Sequence, residues 1–206
     1  NHNFKIARYL ADGSLDLTFD HDGKLQTEFS GSYARSLIQQ ADGKLVVAGS
    51  GVNPLTGNDD FQLVRYLADG SLDATFGYAG KVQTDFGFDD SAFSVVQQGD
   101  GRLVLLGFGF NLATGNYDFL MTRYLTDGSL DTSLDHDAKL QTDFGNGDIA
   151  TSIVQQANGK LVAAGYGFNP VTGVEDFVVA RYDMPDSDDD TYRDSIDLFP
   201  QDATEW

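Results

Sequence analysis

The chain contains no cysteine, so no disulfide can staple it and redox compartment cannot be read from it. Positive charge is scarce: 13 Lys and Arg stand against 32 Asp and Glu, a formal net charge of −19 at pH 7. Such a surface repels phosphate backbones and anionic headgroups, which argues against nucleic acid and membrane surfaces as partners. It suits cation binding, high-salt or extracellular settings, and plain solubility. No apolar run approaches the roughly 18 residues that a membrane-spanning helix requires. No charged-then-apolar signal segment opens the chain, so an exported protein would carry its signal outside these residues. No segment of about ten residues shows helical periodicity, so little helix is expected.

What is present is a repeat. Hydrophobic residues make up 41% of the 206, with 15 Phe and 9 Tyr, enough to bury a core. Arg-Tyr recurs at Arg8-Tyr9, Arg65-Tyr66, Arg123-Tyr124 and Arg181-Tyr182, at spacings of 57, 58 and 58. DGSLD recurs at 12–16, 69–73 and 127–131, and QTEF or QTDF ends at Phe29, Phe86 and Phe144. QQADGKLVVAG (39–49) matches QQGDGRLVLLG (97–107) and QQANGKLVAAG (155–165). NPLTG (53–57) matches NLATG (111–115) and NPVTG (169–173). Self-similarity at a fixed period of this length marks a repeat architecture and takes precedence over local readings.

Each unit reads as four short strands. An aromatic and β-branched strand ends in Arg-Tyr and leads into a long turn built on Asp-Gly. GKLQTEF, GKVQTDF or AKLQTDF forms the next strand. The QQ strand then joins the KLVVAG-type strand through a DG or NG hairpin. Four antiparallel strands per unit is the arithmetic of an all-β propeller blade, with a stacked solenoid as the competing architecture. The hairpin is also similar in outline to the first hairpin of WD-repeat blades. That likeness orders the strands as QQ nearest the axis, then KLVVAG, then RY, with QTDF outermost.

The full pattern, F-x-x-x-RY, DGSLD, GK-x-x-T-D-F and QQ-x-DGK-x-V-x-AG, resembles the delta-60 repeat family of bacterial, often secreted, proteins. It covers residues 4–182. The resemblance implies propeller-like repeats in an exported or cell-surface protein and carries no catalytic residues with it. The RY strand occurs four times and the other strands three times each, so the array begins and ends in mid-blade. Three blades are too few for a ring. Completion by a second copy, as a homo-oligomer, or by the remainder of a longer chain is therefore expected.

The composition changes after Tyr182, dividing the chain into an array (1–182) and an acidic tail (183–206). Asp186, Asp188, Asp190, Asp194 and Asp197 fall at loop positions 1, 3, 5, 9 and 12, with Tyr192 at position 7 offering its carbonyl. Hard oxygen ligands at this spacing suit Ca²⁺. Thr191 stands at position 6, where a sharp turn favours Gly, and a solvated acidic linker is the alternative. With the LFP and EW that follow, the tail resembles the thrombospondin type 3 repeat, which implies a Ca²⁺-binding motif.

Other constellations read as structural. His21 and His136 share one repeat position, with Tyr78 in the middle copy, and read as turn residues. Asp20 with Asp22, and Asp135 with Asp137, could chelate a cation. Arg8, Arg65 and Arg123 each precede an Asp by eight residues, which reads as a repeated Arg–Asp tie. Asp60, Asp118 and Asp176 read as turn or edge residues. No phosphate loop, nucleophile elbow or zinc motif is present. The expected role is structural or binding, towards protein or glycan. It would act through the NPLTG-type loops or through Phe108, Phe110, Tyr166 and Phe168, four aromatics otherwise expected in the core. A polysaccharide-acting lyase or hydrolase and a self-assembly module are the alternatives.

Overall fold

A computed structural model describes residues 3–28 and 31–184, and among them every regular element is a β-strand. The chain forms two compact units that meet between Ala92 and Phe93. In the first unit, β1 (Phe4–Ala7) pairs antiparallel with β2 (Lys24–Thr27). Next come β3 (Tyr33–Gln39), β4 (Leu45–Val52), β5 (Asp59–Tyr66) and β6 (Lys81–Thr84), hydrogen-bonded in that order. β7 (Asp90–Gln97) opens a second four-stranded sheet with β8 (Leu103–Asn111), β9 (Asn116–Tyr124) and β10 (Lys139–Thr142). A three-stranded sheet follows, made of β11 (Asp148–Gln155), β12 (Leu161–Asn169) and β13 (Val174–Tyr182).

The observed order is QQ, KLVVAG, RY, QTDF, as the sequence predicts for a propeller-type blade. Blade and sequence repeat are out of phase: a sheet starts at the QQ strand of one repeat and takes its third and fourth strands from the next. The DG hairpin is as expected. Between β3 and β4, Gln40 N donates to Lys44 O (2.8 Å) and Gly43 adopts φ 85°. Two first strands carry a bulge, between Ala34 and Ser36 in β3 and between Ala150 and Ser152 in β11. The glycine opposite has no alternative. A Cβ at Gly49 would lie 1.8 Å from the Tyr33 carbonyl oxygen, and one at Gly165 2.0 Å from that of Ile149. The recurring AG of the second strand is thus a close-approach site.

Apolar side chains bury where sheets face each other within a unit. In the second unit Val104, Leu106, Phe119 and Met121 pack with Ala150, Ile153, Leu161 and Ala163. In the first, Phe4, Phe19 and Leu25 pack with Val47, Val64 and Tyr66. Facing sheets are also tied by the Tyr of the RY strand. Tyr66 Oη lies 2.6 Å from Thr27 Oγ1, and Tyr182 Oη 2.9 Å from Thr142 Oγ1. Burial pushes the Tyr66 hydroxyl up to about 12.

The Arg–Asp tie is present in every repeat that contains its Asp. Arg8 Nε lies 2.8 Å from Asp16 Oδ2, Arg65 Nε 2.8 Å from Asp73 Oδ2, and Arg123 Nε 2.7 Å from Asp131 Oδ2. The other Asp oxygen caps the turn, accepting from the Thr18, Thr75 or Ser133 hydroxyl at 2.6 Å. The Arg65 guanidinium also lies over the Phe76 ring, 4.3 Å from its centroid. Arg102 joins the third copy, its Nε 3.0 Å from Asp131 Oδ2. Burial disfavours the charged form of Asp131, but the Ser133 hydroxyl, Arg123 and Arg102 outweigh it and hold this carboxyl below its ordinary range.

Asp131→Asn would leave Arg123 buried without its counter-charge. We expect urea unfolding to show a loss of about 3–5 kcal/mol, and a distinctly smaller loss for Asp16→Asn, whose partner Arg8 is a third exposed. The folded-state value of Asp131 is depressed, so its contribution is complete above the ordinary carboxylate range. It fades as pH falls through the lowered value. In acid, therefore, the difference between wild type and Asp131→Asn should shrink.

Candidate functional site

His21 and His136 occupy turns. They have φ of 66° and 60°, and Asp20 and Asp135 before them 46° and 47°. Asp22 and Asp137 each use Oδ1 to accept a backbone N–H, from Lys24 (2.8 Å) and Lys139 (3.0 Å). Their carboxylates thus cap these left-handed turns. The tail ligands Asp186, Asp188, Asp190, Tyr192, Asp194 and Asp197 lie outside the described residues.

Asp60 and Asp118 differ from expectation. Neither is a turn or edge residue: both sit inside third strands, wholly buried. Asp60 Oδ2 accepts from Asn53 Nδ2 and Gln83 Nε2, both at 2.8 Å. Asp118 Oδ2 accepts from Asn111 Nδ2 (2.7 Å) and Gln141 Nε2 (2.6 Å). In the third copy, exposed Asp176 keeps the equivalent bond from Asn169 Nδ2 (2.6 Å).

Two further acids join each buried one. Asp60, Asp85 and Asp90 form one cluster and Asp118, Asp143 and Asp148 the other, each with one oxygen per residue within 4.8 Å of the rest. Every member is anchored by donors. Asp148 Oδ2 accepts from Phe144 N (2.7 Å) and Asp143 Oδ1 from Gly145 N (2.5 Å). Asp90 Oδ2 and Asp85 Oδ1 do the same with Phe86 N and Gly87 N, at 2.7 and 2.5 Å. Gly167 makes room, since a Cβ there would lie 2.2 Å from Asp148 Oδ1. Burial raises the Asp148 carboxyl, the Phe144 N–H opposes it, and the charges of Asp143 and Asp118 raise it further. Burial likewise raises Asp60 against its two amide donors, with Asp85 and Asp59 adding to the rise. Both clusters offer hard oxygen donors and could hold a metal ion. Sequence reasoning missed them because their members stand 25 and 5 residues apart. The readable signal was that this spacing occurs twice.

The aromatics lie at the border of the core rather than within it. Phe108 and Phe110 are half-buried, and Tyr166 and Phe168 on β12 are 38% and 46% exposed. Phe108 stacks on Phe93 (centroids 5.4 Å), and Tyr117 meets Phe108 and Phe110 edge-on at 5.4 and 5.5 Å. The hairpin after each second strand carries an exposed apolar tip: Leu55, Leu112 or Val171. Backbone bonds from Gly57, Gly115 and Gly173 to Asn53, Asn111 and Asn169, all at 2.8 Å, close these tips.

No curated protein matches the chain. The family described as "Domain of unknown function (DUF5122) beta-propeller" matches residues 2–19, 40–76, 98–134 and 156–190, more than half of the chain. The three longer segments span the KLVVAG and RY strands, two of them with the DGSLD turn as well. By its repeat, its strand order and this match, the chain belongs to the DUF5122 β-propeller family.

Proposed function

We propose that this chain is a β-propeller repeat module of the delta-60 type in a secreted or cell-surface protein. It acts by binding protein or glycan, and its acidic tail is a thrombospondin type 3-like segment stiffened by Ca²⁺. The observation that carries the binding role is the row formed by Phe93, Phe108, Tyr117 and Phe110. Edge-on packing fixes these rings while Tyr117 stays 39% exposed, with the Leu112 tip beside it in sequence, 69% exposed. A rigid aromatic row presents ring faces to the apolar side of a sugar or to a partner's side chains at low entropic cost. Screening the full chain on glycan arrays and against surface proteins should return a ligand. Tyr117→Ala or Phe110→Ala should weaken it about 10-fold or more, which is about 1.4 kcal/mol. Binding unchanged in both variants would remove this face from the proposal.

The edge of β13 supports self-association as a second reading. Phe61 and Phe119 are buried and meet Phe86 and Phe144 from just beyond the fourth strand, at 5.1 and 5.3 Å. Phe177, their counterpart on β13, is 97% exposed. An open apolar sheet edge invites a strand, and a QTDF-type strand would restore the missing ring contact. A second copy or the remainder of a longer chain would supply it. Light scattering should then give a mass above 22.4 kDa that Phe177→Asp returns to the monomer value. A monomer at every concentration would leave only the longer chain as donor.

A further inference from the structure

We propose that the Asp118–Asp143–Asp148 and Asp60–Asp85–Asp90 clusters are Ca²⁺ sites that fasten the exit of one sheet to the entry of the next. The positions carry the argument. Asp118 lies on β9, the third strand of its sheet. Asp143 directly follows β10, the fourth strand, and Asp148 is the first residue of β11 in the next sheet. Asp60, Asp85 and Asp90 hold the same three places, on β5, after β6 and at the start of β7.

Acid clusters are common at protein surfaces, but two of the three members of each of these are buried. Asp118 and Asp60 are wholly buried, and the Oδ1 of each has no hydrogen-bond partner. A sealed, unpaired carboxylate oxygen is costly. Its companion Oδ2 is saturated by two side-chain amides, Asn111 with Gln141 or Asn53 with Gln83. Donors that fix one oxygen and leave the other bare are the usual second layer of a metal site. No described ion pair reaches Asp118, Asp143 or Asp148, so a bound cation would offset their mutual repulsion beyond what the amide donors give.

Ca²⁺ fits such a set: it takes carboxylate oxygens at about 2.4 Å in flexible geometry, and in each cluster the three oxygens lie within 4.8 Å of one another. Exposed Asp143 gives the ion a way in from solvent. The first repeat contains its own control. Asn3, Glu28 and Ser32 stand at the three cluster positions, and the Ser32 hydroxyl donates to Gln62 Oε1 at 2.7 Å. A neutral hydrogen bond fills that junction, so the array should take two ions and not three.

The test separates these sites from the tail. In a full-length Asp188→Asn, Asp190→Asn background, calcium stripped with EGTA and then titrated calorimetrically should bind two ions. Asp148→Ser, which installs the residue of the first repeat, and Asp90→Asn should each remove one ion, and together both. Calcium should raise the melting temperature of the background and leave the Asp90→Asn, Asp148→Ser double variant unmoved. In EGTA the double variant should melt above the background, because each cluster has lost one repelling charge. A background that binds no calcium, or a double variant that binds as many ions as the background, overturns the proposal. If calcium binding is lost only on mutating Asp188 and Asp190, the tail holds the metal and the clusters do not.

Discussion

An ion pair between guanidinium and carboxylate sets the terms for the repeat. The Arg of the RY strand sits next to the end of its strand, and Arg123 is wholly buried. Such a charge is tolerated only beside a fixed counter-charge. The Asp eight residues on supplies it, and that Asp can reach only if the long turn after the strand folds back as observed. Asp73 N to Arg65 O (3.0 Å) and Asp131 N to Arg123 O (2.9 Å) complete the return with backbone bonds. The fourth strand starts from a turn position fixed in this way. Arg181 has no DGSLD after it and is exposed, and its sheet has three strands among the described residues. Among the described residues, the tie and the fourth strand occur together.

Alternation along a strand gives the neighbouring Tyr the opposite task. Arg65 secures its own sheet's turn, while Tyr66 reaches Thr27 of the preceding sheet. Tyr182 reaches Thr142 in the same way. Two adjacent residues thus encode both scales of the repeat, closure of a blade and registry with its neighbour. The Thr of QTDF is the other half of that second contact, which explains why the two blocks recur together.

Period, strand order and hairpins were legible because they rest on local physics: β-branched runs, Asp-Gly reversals and a fixed repeat length. The Arg–Asp tie was legible because both partners recur at constant separation. Asp60 and Asp118 were not. An acid ahead of an apolar strand is usually a turn residue, and their burial depends on Gln83 and Gln141, 23 positions further on. The aromatics misled in the opposite sense. Phe108 and Phe110 continue the face of Val104 and Leu106, but only the latter two belong to the buried cluster, and the two rings stay half-buried.

The side chains of Asn53 and Asn111 link the carboxylate clusters to the hairpin tips. Asn111 Oδ1 accepts from Ala113 N (2.9 Å) and shapes the tip that carries Leu112. Its Nδ2 holds Asp118 Oδ2. Asn53 does the same between Leu55 N (2.9 Å) and Asp60. A side chain bonded at both ends transmits order from one to the other. An ion on Asp118 would fix that carboxylate, hence the Asn111 amide, hence the hairpin conformation beside Tyr117. The acidity that marks the sequence is therefore not only a solvated surface. Part of it is buried at the sheet junctions, one side chain away from the surface best suited to recognition.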